Sequence, residues 1–334
     1  MTNRTDCQII SWSKQLLKTS QPIFYICIFA SISHLLFRIQ LQIFPAAHKR
    51  SMQWVYAYLT TDLFLLARFF LLYAYRRWPT CIHKHYQMIL CYFEAIFDNY
   101  LNLVQSYILL ALNICRYLQI AHHYNVYISN RRLILLIHLL IYLLPLIGYS
   151  SALFFREILI ENQLTNICRL VSSSFIIRIV VLLFSYLLPV ILTLIFLLLS
   201  LNHIRNTNGI QAQEILDARQ KYHRQLVLQS TIFYSLWLLL WSPYLLLFPF
   251  SNTHSTVNMI VQILRYTNIT LDPITISALD VRFLQVWRST SGHLLKRSRR
   301  KTTIRTRVIT ASNSLEYSLE YSLERTMEHS ITVN

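Results

Sequence analysis

The residues of this sequence that could do chemistry are ionisable side chains set within long apolar runs. Asp62, Asp98, Arg265 and Asp272 each lie inside such a run. A charged group in the interior of a bilayer costs about 3 kcal/mol or more unless it is paired or solvated. We therefore expect these side chains to bind a cation, to bind a charged ligand or to pair with one another.

Enzyme chemistry has little support. The adjacent residues His122 and His123 face different sides of a helix and so chelate a metal poorly. The sequence contains no HExxH, GxSxG or phosphate-binding glycine loop, and its 3 Gly exclude glycine-rich cofactor loops. We predict a protein that is not an enzyme, with no catalytic residues, no cofactor and no metal other than the sodium ion considered below.

Seven long apolar stretches position these side chains. The chain is 54% hydrophobic and 13% charged, whereas soluble domains contain about 25% charged residues. Each stretch is long enough to cross about 30 Å of hydrocarbon as a helix. The stretches are residues 21–44, 53–75, 85–120, 131–155, 173–204, 222–250 and 256–279. We predict an all-α membrane protein with a seven-transmembrane helix bundle.

The distribution of basic residues predicts the orientation of this bundle. With the N-terminus outside, 20 of the 31 Lys and Arg residues fall in inside segments and 8 in outside segments, as the positive-inside rule requires. The net charge is +17, but 10 basic residues follow residue 280, where a basic segment binds anionic membrane lipid. We therefore expect no nucleic-acid partner. The sequon at Asn3 predicts glycosylation on the outer side.

The sequence after the last span predicts a short amphipathic helix on the inner membrane face. Val281, Leu284 and Trp287 recur at helical spacing, with arginines between them. Further on, Ser-Leu-Glu-Tyr occurs twice in residues 314–321, which is low-complexity sequence. The predicted organisation is an extracellular N-terminus (1–20), a seven-span region (21–290) and a cytosolic tail (291–334).

Cys91 and Arg116 mark the two ends of the third span. They are 25 residues apart, or about 37 Å along a helix. Other motif residues follow the same order as the spans: Asp62, Pro189, Trp241-Ser242-Pro243 and Asp272-Pro273. With Arg116-Tyr117, these residues resemble the motifs of the rhodopsin-like (class A) family of G-protein-coupled receptors. The resemblance implies a disulfide between Cys91 and Cys168.

The chain departs from the pattern of this family at several positions. Cys115 replaces the acidic residue before Arg116, Leu197 replaces a tyrosine of the fifth helix, and Ile276 ends the last motif. The fourth span also lacks the family's tryptophan. The resemblance assigns coupling and activation to Arg116, Tyr117, Pro243 and Pro273. We predict a divergent member that either has lost coupling or, if it couples, signals more strongly without ligand.

The predicted ligand site is centred on Asp98. This residue lies seven residues after Cys91 and 18 residues before Arg116, on one face of the helix. The resemblance places it where amine receptors bind a ligand ammonium, and gives Tyr266 the role of supporting it. The other predicted ligand-site residues are Trp241 and Tyr244 as aromatic walls, Ser185 as a polar contact, and Glu94 and Arg265 as charged neighbours.

The two charged neighbours argue against a simple amine site. Arg265 could neutralise Asp98 internally, and Glu94 lies one turn away from it. We therefore expect a receptor that transmits an extracellular peptide or biogenic amine to a heterotrimeric G protein at the plasma membrane, with the peptide preferred. The alternative class is a multi-span transporter or ligand-gated channel that uses the buried charges as a substrate path. Few glycines and no internal repeat favour the receptor.

The resemblance implies that Asp62 and Asp272 both face the bundle core at mid-depth. Two carboxylates in a low dielectric cannot easily both remain ionised unless a cation lies between them. The resemblance implies a sodium site here, with Asn268 as a further ligand. A structural polar network is the alternative, and Arg68 is a competing partner for Asp62.

Overall fold

The computed structural model describes residues 7–9, 14–43, 52–77, 81–121, 131–155, 158–162, 168–172, 174–206, 213–247 and 255–279. All of these residues belong to one compact unit. The sequon at Asn3, the predicted amphipathic helix and the tail lie outside the described residues.

Seven long helical elements account for most of the described residues. Helices suit these sequences because a helix satisfies its own backbone N–H and C=O groups where no water is available. Their bounds are α1 (Lys14–Ile43), α2 (Gln53–Arg77), α3 (Lys84–Ala121), α4 (Arg131–Phe154), α5 (the consecutive segments Phe175–Leu182, Leu183–Leu187 and Leu188–Asn206), α6 (Gln213–Leu247) and α7 (Ser255–Leu279). Each predicted span therefore corresponds to one helix.

The prediction of seven apolar spans needs a correction. In the described residues, six helices are long and apolar enough to cross a membrane, and α7 is not among them. The reason is that α7 carries Arg265, Asn268 and Asp272, which lower its mean hydropathy. All three side chains are at most 3% exposed, so the polar groups of α7 lie in the bundle interior.

α5 contains a π-helical segment, Leu183–Leu187, between two α-helical segments. The backbone N–H of Leu188 donates to the carbonyl of Leu183, five residues earlier. Pro189 follows at once and has no N–H to donate, which favours an irregular turn before it. The Tyr186 hydroxyl of this segment donates to Ser242 Oγ of α6 at 2.7 Å, so the wide turn contacts α6.

Two short antiparallel ribbons, absent from the predicted fold, lie at the N-terminal end of α3. β1 (Cys7–Ile9) pairs with β2 (Cys81–His83), which directly precedes α3. β3 (Ile158–Asn162) pairs with β4 (Cys168–Ser172). The predicted disulfide between Cys91 and Cys168 is present, with a Cα–Cα distance of 5.2 Å, and it joins β4 to α3.

The bundle buries its large aromatic residues and exposes many aliphatic ones. Trp54, Trp237 and Trp241 are fully buried. On other helices, large side chains such as Leu139 of α4 and Leu198 of α5 are more than half exposed. Extensive exposed apolar surface indicates contact with a partner or a membrane, and here it covers helices of membrane-spanning length. The apolar outer faces therefore suit lipid, and polar residues are directed inward.

Candidate functional site

Four helices bring charged and hydroxyl groups together at Asp98 of α3. Arg265 of α7 donates through Nη1 to Oδ2 of Asp98 at 2.8 Å and through Nη2 to Oδ1 at 2.7 Å. Arg68 of α2 places Nη1 3.0 Å from Oδ1, and the Tyr244 hydroxyl of α6 donates to Oδ2. Oδ2 therefore accepts two hydrogen bonds, and Oδ1 accepts one and also forms an ion pair with Arg68.

The Arg265 guanidinium lies within an aromatic enclosure. Its Cζ atom is 4.3 Å from the ring centroid of Tyr244, 5.1 Å from that of Trp241 and 5.6 Å from that of Tyr266. These distances allow cation–π attraction, and Arg265 is 0% exposed. A guanidinium of the chain itself thus occupies the position that the resemblance assigned to a ligand ammonium.

Two predicted partnerships are wrong. The hydroxyl that reaches Asp98 comes from Tyr244, whereas Tyr266 contributes its ring to the enclosure of Arg265. Arg68 binds Asp98 and not Asp62. Helix geometry excludes the second pairing, because residues six apart, such as Asp62 and Arg68, lie on different faces of α2.

Glu94 links the Asp98 cluster to the disulfide. Its carboxylate accepts from Arg76 of α2 and, at 3.4 Å, from the backbone N–H of Cys168. Its backbone carbonyl accepts from Arg68 Nη2 at 2.8 Å. Sequence reasoning found Glu94 but missed Arg76, which lies eight residues after Arg68 on the same helix. That spacing is a little over two helical turns, and it could have indicated that Arg76 and Arg68 extend toward neighbouring positions of α3.

The Asp62–Asp272 pair lies deeper along the bundle, and each of the two carboxylates accepts hydrogen bonds through one oxygen. Gln105 Nε2 donates to Asp62 Oδ1 at 2.6 Å. The Tyr58 hydroxyl and Asn268 Nδ2 each donate to Asp272 Oδ2 at 2.9 Å. Asn268, the predicted sodium ligand, thus presents its nitrogen to the carboxylate. Two buried oxygens here, Asp62 Oδ2 and Gln105 Oε1, have no hydrogen-bond partner in the described residues. The observed contacts form a hydrogen-bonded network, and the sodium site stays a prediction.

Arg116 connects α3 and α6 at the other end of α3. Its Nη1 donates to Ser230 Oγ, which itself donates to the carbonyl of Leu226 at 3.0 Å. The ring of Tyr117 lies 5.5 Å from that of Phe196 in α5. Sequence reasoning missed Ser230, although it lies 11 residues, or about three turns, before Trp241 on the same face of α6.

A small cavity of about 20 Å³ lies beside Arg116. Its lining includes Tyr58, Phe233 and Ile276, so it extends from Arg116 toward the Asp272 network. Ile276, which replaces the tyrosine of the last motif, contributes an apolar wall. The space next to Arg116 is therefore bounded by α2, α3, α6 and α7.

The remaining predicted residues occupy element interiors. Ser185 lies half-buried in the π-helical segment of α5. Pro243 lies inside α6 between Ser242, which binds Tyr186, and Tyr244. Pro273 lies inside α7 directly after Asp272. Each proline removes a backbone donor where a helix contacts a polar cluster.

Comparison with known families decides what this arrangement belongs to. The sequence model described as "7 transmembrane receptor (rhodopsin family)" matches residues 43–275. This chain belongs to that family. The match runs from the end of α1 into α7 and includes Asp62, Asp98, Arg116 and Asp272. The match confirms the resemblance that the sequence motifs indicated. Rhodopsin-family proteins are multi-pass membrane receptors and not enzymes. No curated protein sequence matches the chain.

A double-mutant cycle tests the central ion pair. Asp98→Asn leaves two arginines without their carboxylate in the bundle interior, and we expect it to destabilise the protein by about 3–5 kcal/mol. Asp98→Asn with Arg265→Gln should recover at least half of this loss, because one buried charge is removed. The thermal unfolding midpoint of the purified protein in detergent measures both effects. Equal losses in the single and double variants would contradict the pairing.

Exchange of sodium for choline tests the Asp62–Asp272 network. Because amide and hydroxyl donors already bind these carboxylates, we expect the unfolding midpoint to change by less than about 1 °C. Gln105→Ser removes the amide from Asp62 and should make the midpoint sodium-dependent. Strong stabilisation of the unaltered protein by sodium would show that the network opens to bind the ion.

Proposed function

We propose that this chain is a G-protein-coupled receptor of the plasma membrane that transmits the binding of an extracellular peptide to a heterotrimeric G protein. The observation that carries the choice of a peptide is the occupation of Asp98 by Arg265. A peptide can contact a broad surface at this end of the bundle without taking the carboxylate from its internal partners. The N-terminus lies outside in this proposal, as the basic residues favour.

A biogenic amine is a weaker candidate ligand. Its ammonium would have to displace a bidentate guanidinium from Asp98 and would then lie beside both Arg265 and Arg68. Breaking a buried ion pair costs about 3–5 kcal/mol, and the like charges would add repulsion. An amine would therefore lose much of the binding energy that an aspartate gives it elsewhere.

The contacts of Arg265 suggest how binding reaches α6. Its guanidinium lies over the ring of Trp241, which stacks on Trp237 at a centroid distance of 6.3 Å. Pro243 follows within the same turn and weakens the helix there because it lacks an N–H. A ligand that moves Arg265 changes the contact with Trp241 and shifts the population of α6 positions.

At the other end, the Arg116–Ser230 hydrogen bond restrains α6. An outward movement of α6 must break this bond and frees the arginine to contact the G protein beside the cavity. Cys115 is buried and provides no acidic partner for Arg116. Ser230 therefore supplies part of the restraint that an acidic residue before the arginine gives other members of the family.

The transporter or channel alternative depended on the buried charges alone. In the described part of the chain these charges bind one another, as Asp98 does with Arg265 and Glu94 does with Arg76. These two ion pairs are explained by contacts within the bundle and need no substrate path. Membership of a receptor family favours the receptor further.

Nucleotide exchange on a purified heterotrimeric G protein tests the proposal. We expect the receptor, reconstituted with lipid, to accelerate exchange in the presence of at least one member of a peptide library. A biogenic-amine panel should have no effect. An amine that activates the receptor and loses potency on Asp98→Asn would contradict the peptide proposal. A ligand-gated current without G protein would contradict the receptor proposal.

Basal exchange tests the role of Ser230. Ser230→Ala removes a hydrogen bond from a charged donor, so we expect ligand-free exchange to rise roughly fivefold. Cys115→Asp adds an acidic partner for Arg116 and should lower it. Thr231→Ala is the matched control, because within the described residues Thr231 Oγ1 donates to the carbonyl of Val227 in its own helix and to no other helix. A similar rise in both alanine variants would show that Ser230 is not a specific restraint.

A further inference from the structure

We infer that the ligand presents an anionic group, a carboxylate, to Arg68 and Arg265 in the Asp98 cluster. The inference rests on the proposed receptor function, which it extends by naming the chemistry of the ligand. Two observations carry it: an excess of positive charge in the cluster, and buried guanidinium N–H groups without acceptors.

The charge of the cluster is not balanced internally. Arg68 and Arg265 contribute two positive charges, and Asp98 contributes one negative charge. The next carboxylate, Glu94, is paired with Arg76. In the described residues, the salt bridges of Arg68 and Arg265 all end on Asp98. One positive charge therefore remains in a region of low dielectric, where an unpaired ion is unfavourable.

The unpartnered donors lie on the same side chains as the excess charge. The Nε atoms of Arg265 and Arg68 are buried and have no hydrogen-bond acceptor, and the same is true of Asn102 Nδ2. Asn102 belongs to the cluster because its Oδ1 accepts from Arg265 Nη2 at 3.0 Å. Asp98 already accepts three hydrogen bonds and forms an ion pair with Arg68, and it does not reach these remaining donors. The cluster therefore lacks acceptors and negative charge together.

A carboxylate supplies both missing features. It carries one negative charge and two acceptor oxygens, and its planar shape matches the N–H groups of a guanidinium. Water offers acceptors without charge, and an ammonium adds a like charge and further donors. Chloride shares the charge of a carboxylate but lacks its fork geometry. A carboxyl-terminal or acidic side-chain group of a peptide has the required chemistry.

Ligand-dependent thermal unfolding of the full-length protein in detergent tests this inference without a G protein. The probes are 3-phenylpropionate, its neutral isostere 3-phenylpropanamide and the cation 3-phenylpropylamine, at constant sodium chloride and pH. We expect the carboxylate at saturation to raise the unfolding midpoint by about 3 °C. The amide and the amine should raise it by less than about 1 °C. An equal effect of the amide, or a larger effect of the amine, would overturn the inference.

Substitutions locate the effect. Arg68→Gln makes the cluster neutral and should abolish the stabilisation by 3-phenylpropionate. Asp98→Asn raises the excess charge and should increase it, which is the opposite of what an amine site predicts. The control is Arg77→Gln, which removes an exposed arginine from the same end of α2 and should leave the effect intact. Loss of the effect in the control would show non-specific binding.

A titration of chloride separates the two sources of an anion. If chloride alone stabilises the protein and 3-phenylpropionate adds nothing, a solution ion balances the cluster and the ligand carboxylate is excluded. The unfolding assay is independent of nucleotide exchange. Carboxylate binding without any exchange would leave this inference standing and contradict the proposed function, whereas exchange without carboxylate binding would do the reverse.

Discussion

The bidentate ion pair between Asp98 and Arg265 is the interaction on which the rest of the bundle interior depends. It joins α3 to α7, and the same carboxylate reaches α2 through Arg68 and α6 through Tyr244. Four helices therefore share one carboxylate in a medium where each of these charges alone would be unfavourable. Each helix must keep its donor directed at that carboxylate, and this requirement restricts how the helices rotate relative to one another. Apolar contacts alone would restrict the rotation less strictly.

A lipid surrounding explains why apolar residues cover the outside of this bundle and polar residues lie inside it, the reverse of a soluble protein. Leucine and isoleucine side chains cover the outer faces, whereas Asp62, Gln105 and Asp272 lie in the interior at 3% exposure or less. Helix association in lipid gains little from the hydrophobic effect and relies on packing and interhelical hydrogen bonds. Polar residues thus specify which helices meet.

The sequence predicted what depends on local periodicity and failed where side-chain partners depend on how helices rotate against each other. Span positions and the Cys91–Arg116 spacing follow from helix geometry, and the disulfide follows from the family motif. The choice of Tyr244 over Tyr266 for Asp98, and of Ser230 for Arg116, depends on contacts between different helices. α7 was predicted as an apolar span, but its charged residues lower its hydropathy below that of the other six helices. These residues are nevertheless buried, because neighbouring helices shield them from lipid.

The π-helical turn of α5 alters how its sequence maps onto its faces. A turn closed over five residues contains one more residue than its α-helical counterpart and rotates the preceding segment by roughly 100°. Counting back from Pro189 in steps of four therefore assigns the wrong orientation to positions in Phe175–Leu182. Relaxation of this turn to regular geometry would rotate the side chains of Phe175–Leu182 about the helix axis while the chain length stays the same. Backbone winding, as well as sequence, therefore decides which side chains of α5 face a molecule bound within the bundle.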